Sequence, residues 1–103
     1  MSLIDSSILY ELYETKTDVK IRAELPGVAK SNIKLDFYGP KLVISAIKTQ
    51  PSYEYSFMRS NIRYGPYKTT INFSVPVTDY EQVNYDFIDG ILTIDISFSS
   101  SLP

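Results

Sequence analysis

The sequence predicts an all-β protein, a two-layer β-sandwich of about seven to eight strands. Several runs alternate strictly between apolar and polar residues, which is the periodicity of a strand with one buried face. Turn-forming residues separate these runs at short intervals, and no stretch has a convincing helical pattern. With 103 residues, the chain is long enough for one domain with a real core but too short for two.

The clearest single element is a β-hairpin centred on Asp89-Gly90, a pair that tolerates the positive φ angles of a type I′ turn. The strand before it is short and carries Tyr85 and Phe87 on one face. In the strand after it, strict alternation places four apolar residues on one face: Leu92, Ile94, Ile96 and Phe98. We expect that face to be buried.

The same alternation predicts the other strands, with a polar arm over 1–7 before them. In chain order they span 8–15, 19–25, 33–37, 42–47 and 67–75. The second of these has the cleanest alternation, with Val19, Ile21, Ala23 and Leu25 on the predicted buried face. A connector over 79–83, with room for one helical turn, leads into the hairpin.

Two regions depart from the simple pattern. The strand over 8–15 has apolar or aromatic residues on both faces, so it is either an inner strand or a strand that a second subunit covers. The segment 48–63 is long and polar, yet Tyr53, Tyr55 and Phe57 share one strand face within it. This aromatic strand either pairs away from the main body or forms a plain hairpin on its own core.

The composition argues against an enzyme. The chain contains no Cys and no His, which removes the thiolate nucleophile and the commonest general base and metal ligand. The carboxylates stand where the pattern expects solvated residues, and we find no phosphate loop or nucleophile elbow. We therefore predict no catalytic residue, no cofactor and no metal. The net charge of −2 disfavours nucleic acid. Without a secretory signal or an apolar span, we expect a cytoplasmic protein.

Four sequence patterns occur in a recognisable order: A-E-L-P-G-V at 23–28, L-V-I-S-A at 42–46, M-R-S at 58–60 with Y-G-P-Y at 64–67 and F-S-V-P at 73–76, and D-G-I-L-T-I at 89–94. In this order they resemble the α-crystallin domain of the small heat-shock proteins. The resemblance covers 8–98, between the arm 1–7 and a stub at 99–103 that lacks the family's I-x-I motif.

The resemblance implies an immunoglobulin-like sandwich that dimerises, builds larger homo-oligomers and holds unfolding client proteins without ATP or any other cofactor. It implies a dimer interface in which the aromatic strand pairs with the first strand of a second subunit, through Tyr53, Tyr55, Phe57, Leu9 and Tyr13. It also implies an apolar groove between two edge strands for a client or a tail, with Ile33, Leu35, Tyr85 and Phe87 as candidates.

Two other functions are compatible with the sequence. The first is a co-chaperone-like binding module on the same sandwich, which would be monomeric and would recruit one defined partner. Stable dimers would count against it. The second is a small carbohydrate-active or adhesion domain, which aromatic residues exposed on one face would favour and an intracellular location would not.

Overall fold

The computed structural model describes residues 7–56, 58–74 and 80–98. These residues form seven strands and one short 3-10 helix at Lys30–Asn32. The strands are β1 (Leu9–Glu14), β2 (Asp18–Glu24), β3 (Ile33–Tyr38), β4 (Lys41–Lys48), β5 (Gly65–Asn72), β6 (Tyr80–Ile88) and β7 (Ile91–Phe98). The predicted stub, Phe57, the end of the 67–75 strand and all of the predicted arm except Ser7 lie outside the described residues. Among the described residues, no helix is long and apolar enough to cross a membrane.

The strands form two antiparallel sheets. One has four strands in the order β1-β2-β7-β6, and the other has three in the order β3-β4-β5. The inner faces of the two sheets share one hydrophobic core, to which β2, β4 and β7 contribute most of the fully buried side chains. The predicted all-β, immunoglobulin-like sandwich is thus confirmed, including its strand count.

The two cleanest sequence patterns form the centre of the four-stranded sheet. Every apolar residue of the alternating sets in β2 and β7 is buried, as predicted: Val19, Ile21, Ala23, Leu92, Ile94, Ile96 and Phe98. In the register, Ile21 lies opposite Ile94 and Ala23 opposite Leu92, so the two sets share one face. Burying such side chains supplies much of the folding free energy, at roughly 1.5–3 kcal/mol each.

The Asp89-Gly90 turn packs directly onto the end of β2. The backbone N–H of Leu25 donates a 2.8 Å hydrogen bond to the carbonyl oxygen of Gly90. Gly90 has a φ of +77°, and a Cβ there would lie only 3.1 Å from Pro26 Cα. Glycine is therefore required twice, for the positive φ and for the close approach of two backbones. This contact brings the patterns at 23–28 and 89–94 together in the fold.

Three predicted element assignments are corrected. Residues 80–83 form no helical turn, because they pair with the end of β7 as the first part of β6. In the other sheet, β5 begins earlier than predicted, at Gly65, and ends at Asn72. Pro66 is tolerated in β5 because this strand lies at the sheet edge. Finally, β1 is an edge strand, so its interpretation as an inner strand is wrong.

Candidate interaction surfaces

A groove opens where the edge strands of the two sheets, β3 and β6, flank the sandwich. The register fixes which side chains face it. Leu35 lies opposite the buried Ile44 of β4, and Tyr85 lies opposite the buried Ile94 of β7. Because side chains alternate with a period of two, the residues two positions on either side of Leu35 and Tyr85 face the same way. They point between the sheets at an edge that the described strands leave open.

The groove has a volume of about 250 Å³. All four residues that the sequence predicts for it lie together there. The described residues that line it are Lys30, Ile33, Leu35, Phe37, Val83, Tyr85, Phe87 and Leu92. Alternation alone would have added Phe37 and Val83, which continue the two sets of apolar residues. Lys30 had no comparable signal, because it precedes β3 in the 3-10 helix.

The lining of the groove is apolar except for one cation at its rim. The Lys30 ammonium nitrogen lies 5.9 Å from the centroid of the Tyr85 ring, which is the range of a cation–π contact. Tyr85 remains 52% exposed, whereas the other apolar lining residues are half-buried or buried. The groove therefore offers apolar surface together with one positive charge.

A second surface lies on the outer face of β1. Leu9 and Tyr13 point away from the core, opposite Glu24 and Lys20 of β2, and Leu9 is 69% exposed. A shallow cavity of about 190 Å³ lies beside Leu9. Between the two apolar side chains, Glu11 accepts a 3.5 Å hydrogen bond from Arg22. The surface thus has apolar and charged groups side by side at an unpaired strand edge.

The third surface is the segment 49–64, which connects β4 to β5. Its described residues 53–56 form no strand, because none of the seven described strands pairs with them. Tyr53 and Tyr55 are highly exposed, and their ring centroids lie 5.8 Å apart. The described residues 49–56 and 58–63 have no buried side chain, so a plain hairpin on its own core is wrong for them. Phe57 lies outside the described residues.

Among the described strands, β1 pairs with β2 alone, and the structure describes no strand pairing between β1 and the tyrosines of the 49–64 segment. The five predicted dimer residues are thus split between two surfaces. Both surfaces expose apolar side chains that the described chain does not cover. Their joint role as a dimer interface stays a prediction.

The described residues contain little that could perform chemistry. They include no group of three or more acidic, His or Cys side chains that could hold a metal ion. The carboxylate of Asp18 accepts hydrogen bonds from the hydroxyls of Thr17 and Ser97, and these bonds lower its pKa. This carboxylate belongs to the exposed first residue of β2, where its partners fix the start of the strand. We assign it a structural role.

Comparisons with known proteins agree with the fold described above. The family model described as Hsp20/alpha crystallin family matches residues 11–101. Heat shock protein 16 of Schizosaccharomyces pombe is 28% identical over 90 residues, covering 84% of this chain and 62% of that protein. The chain thus spans less than two thirds of the length of this relative.

Solved structures share the fold. Heat shock protein 16.0 from S. pombe superposes with a TM-score of 0.79 at 24% identity, covering 96% of this chain and 93% of that chain. HSP18.5 from E. histolytica gives 0.75 at 22% identity, over 93% and 91% of the two chains. A small heat-shock protein from Xylella fastidiosa, described as having a distinct high order structure, gives 0.71 at 21%, over 93% and 90%.

Proposed function

Because this chain belongs to the Hsp20/alpha crystallin family, we propose that it is a holdase, a chaperone that binds unfolding proteins without ATP and limits their aggregation. Chaperones rather than enzymes make up this family. The observation that carries the proposal is the open apolar groove between β3 and β6. An unfolding protein exposes apolar segments, and the groove is a surface on which they can be covered.

The groove fits an extended segment for two physical reasons. First, β3 and β6 are edge strands, and an edge strand presents unpaired backbone N–H and C=O groups that an added strand can use. Second, side chains of the added strand that point inward would meet Ile33, Leu35 and Phe87. Binding lowers the concentration of free, aggregation-prone client by mass action. No bond is broken in this mechanism.

The working unit in our proposal is a dimer in which the 49–64 segment of each chain pairs with β1 of the other. Two exposed surfaces support it. Leu9 and Tyr13 lie at a strand edge that no described strand covers, and Tyr53 and Tyr55 lie in a segment that pairs with none of the described strands. Covering exposed apolar side chains would favour the association. We propose that such dimers build larger homo-oligomers, as the high order structure of the X. fastidiosa relative suggests.

The holdase proposal is tested by light scattering from a heat-labile client, with and without this chain and in the absence of nucleotide. We expect the chain to suppress scattering. Tyr85→Asp places a charge in the groove and should weaken suppression severalfold. Asn84→Asp adds the same charge to the neighbouring exposed residue, whose side chain points to the other face of β6, and should act like the wild type. Equal suppression by both variants would exclude the groove as the client site.

The dimer proposal is tested by measuring the mass of the chain in solution. The double variant Tyr55→Asp with Phe57→Asp should be monomeric, because each charge would be buried in the apolar interface. Ser52→Asp with Ser56→Asp adds two charges to the same segment at positions outside the aromatic set, and should remain dimeric. If the variant with Tyr55→Asp and Phe57→Asp has the same mass in solution as the wild type, the proposed pairing of the 49–64 segment with β1 of a second chain is excluded. A monomeric wild type would favour the single-partner binding module instead.

A further inference from the structure

The groove has one feature that a general apolar surface does not need, the cation of Lys30 at its rim. Lys30 belongs to the three-residue helix that precedes β3 in one sheet, and it reaches Tyr85 of β6 in the other. Every other described side chain that lines the groove is apolar or aromatic. Among the described residues, an occupant of the groove therefore lies close to one kind of charge, which is positive.

The neighbouring charges that the structure describes do not cancel that of Lys30. Lys34 and Asp36 lie on the opposite face of β3 and pair with each other at 3.8 Å. Asp86 alternates with the groove residues of β6, so its side chain also points to the outer face. Within the described residues, Lys30 forms no salt bridge, and the aromatic ring of Tyr85 is its partner.

We propose that Lys30 makes the groove selective for extended client segments that carry a side-chain carboxylate beside a pair of alternating apolar residues. This inference rests on the proposed holdase function and specifies its client chemistry. The occupant is a strand, so its inward side chains lie two residues apart, about 6.6–6.8 Å. Two apolar side chains fill the groove, and a carboxylate two positions beyond either of them lies on the same face and can reach Lys30.

Charge selection of this kind acts by attraction and by rejection. A carboxylate near Lys30 gains a charge-assisted contact at the partly exposed groove rim, whereas a lysine or arginine at that position is repelled. Exposed ion pairs of this type change affinity only about two- to fivefold. The effect therefore sorts clients that the apolar contacts already bind, and added salt should reduce it.

The test uses the full chain and four short synthetic peptides, acetylated and amidated so that no terminal charge is present. Each contains two leucines separated by one serine. In the first peptide an aspartate stands two positions before the leucine pair, and in the second it stands two positions after the pair. In the third peptide a serine takes the place of the aspartate at these positions, and in the fourth a lysine does. Binding is measured by fluorescence anisotropy. We expect at least one aspartate peptide to bind about two- to fivefold more tightly than the serine peptide, and the lysine peptide to bind most weakly.

Two matched variants locate the effect. Lys30→Gln should bind all four peptides with similar affinity, and Lys30→Glu should reverse the order. Lys34→Gln removes a lysine four positions along the chain that is paired on the outer face, and should retain the wild-type order. Tyr85→Asp should weaken binding of every peptide, which shows that binding occurs in the groove.

The outcomes separate this inference from the proposed function. Equal binding of charged and neutral peptides by the wild type, or an order that survives Lys30→Gln, would overturn the role of Lys30 and leave the holdase intact. Failure of every peptide to bind would overturn the groove as a strand-binding site, and with it both proposals.

Discussion

Two adjacent strands of the four-stranded sheet, β2 and β1, differ in how their apolar residues are accommodated. In β2, apolar side chains point to the core and polar ones to the outer face, without exception. In β1, Leu12 packs on the core, while Leu9 and Tyr13 are exposed on the outer face. The two strands pair with each other over 9–14 and 19–24, so the difference lies at their other edges. There β2 pairs with β7, whereas no described strand pairs with β1.

The comparison shows where the described chain leaves an apolar surface uncovered. Both edges of β2 are paired, one with β1 and the other with β7, and both of its ends are tied down, by Asp18 to Ser97 and by Leu25 to Gly90. One edge of β1 has no neighbour among the described strands. An exposed strand edge with apolar side chains is a site where another chain can pair. The described chain thus fills its own core, whereas the β1 edge has the properties of an interaction surface.

The largest expected effect is a difference in the free energy of unfolding between a variant in β2 and a variant in β1. Ile21→Ala removes a fully buried side chain from the centre of the core and should lower the free energy of unfolding by roughly 2–5 kcal/mol. Leu9→Ala should change it by less than about 0.5 kcal/mol, because Leu9 is exposed on the surface of the single chain. Urea unfolding at low protein concentration measures both.

The effects of the same two variants on dimer formation should rank in the opposite order. Leu9→Ala should shift the concentration dependence of the dimer mass, whereas Ile21→Ala should alter it only through unfolding. Similar losses of stability in both variants would break the comparison, since they would mean that the outer face of β1 is buried within one chain.

The elements that sequence reasoning predicted well are those whose apolar residues lie on one face only. In β2 and β7 the alternation identifies the buried face directly, because one set is apolar and the other polar. The Asp89-Gly90 turn was also predictable, because few residue pairs tolerate its backbone. Here local chemistry and the final structure agree.

The groove and β1 were harder to predict for a physical reason. Alternation shows which residues share a face of a strand. The position of a strand at a sheet edge depends on long-range pairing, about which a local sequence pattern contains no information. Val83 and Phe37 follow the period of the groove strands, yet only the pairing of β6 with β7 and β3 with β4 makes their faces meet. The aromatic set at 53–57 likewise carries no information about its partner.

The next effect in size tests how the end of β2 is held. Gly90→Ala and Gly39→Ala both place a Cβ on a residue with positive φ, at +77° and +55°. Such strain costs roughly 1–2 kcal/mol in either case. At Gly90 the new Cβ would also lie 3.1 Å from Pro26 Cα, whereas nothing lies within 4 Å of it at Gly39. We therefore expect Gly90→Ala to be the more destabilising by roughly 1–3 kcal/mol.

Thermal or urea unfolding of the two glycine variants gives the difference directly, and the cost shared by both cancels. Pro26→Ala leaves the backbone atom at the contact in place, so it should not rescue Gly90→Ala. If the two glycine variants were equally stable, the contact between the turn and Pro26 would contribute nothing beyond backbone conformation.

The smallest expected effect concerns the start of β2 and its dependence on pH. The hydroxyl of Thr17 donates a 2.7 Å hydrogen bond to the Asp18 carboxylate, and that of Ser97 donates one of 2.9 Å. These bonds lower the pKa of the Asp18 carboxyl from its ordinary value. Because the pKa is lower in the folded state, the resulting stabilisation is complete above the unfolded-state pKa and is lost as the pH falls through the folded-state pKa.

Removing both donors, with Thr17→Val and Ser97→Ala, should therefore reduce the loss of stability on acidification from about pH 6 to below the folded-state pKa. Thr93→Val removes a hydroxyl from the same face of β7 that does not bond to Asp18, and should retain the wild-type pH dependence. Urea unfolding at a series of pH values measures each slope. The difference should be small, because the carboxylate is fully exposed to solvent. Identical slopes for the wild type and the double variant would mean that these hydroxyls fix the geometry of the turn without stabilising the charge, and β2 would then be held to β7 by its ladder and by Gly90 alone.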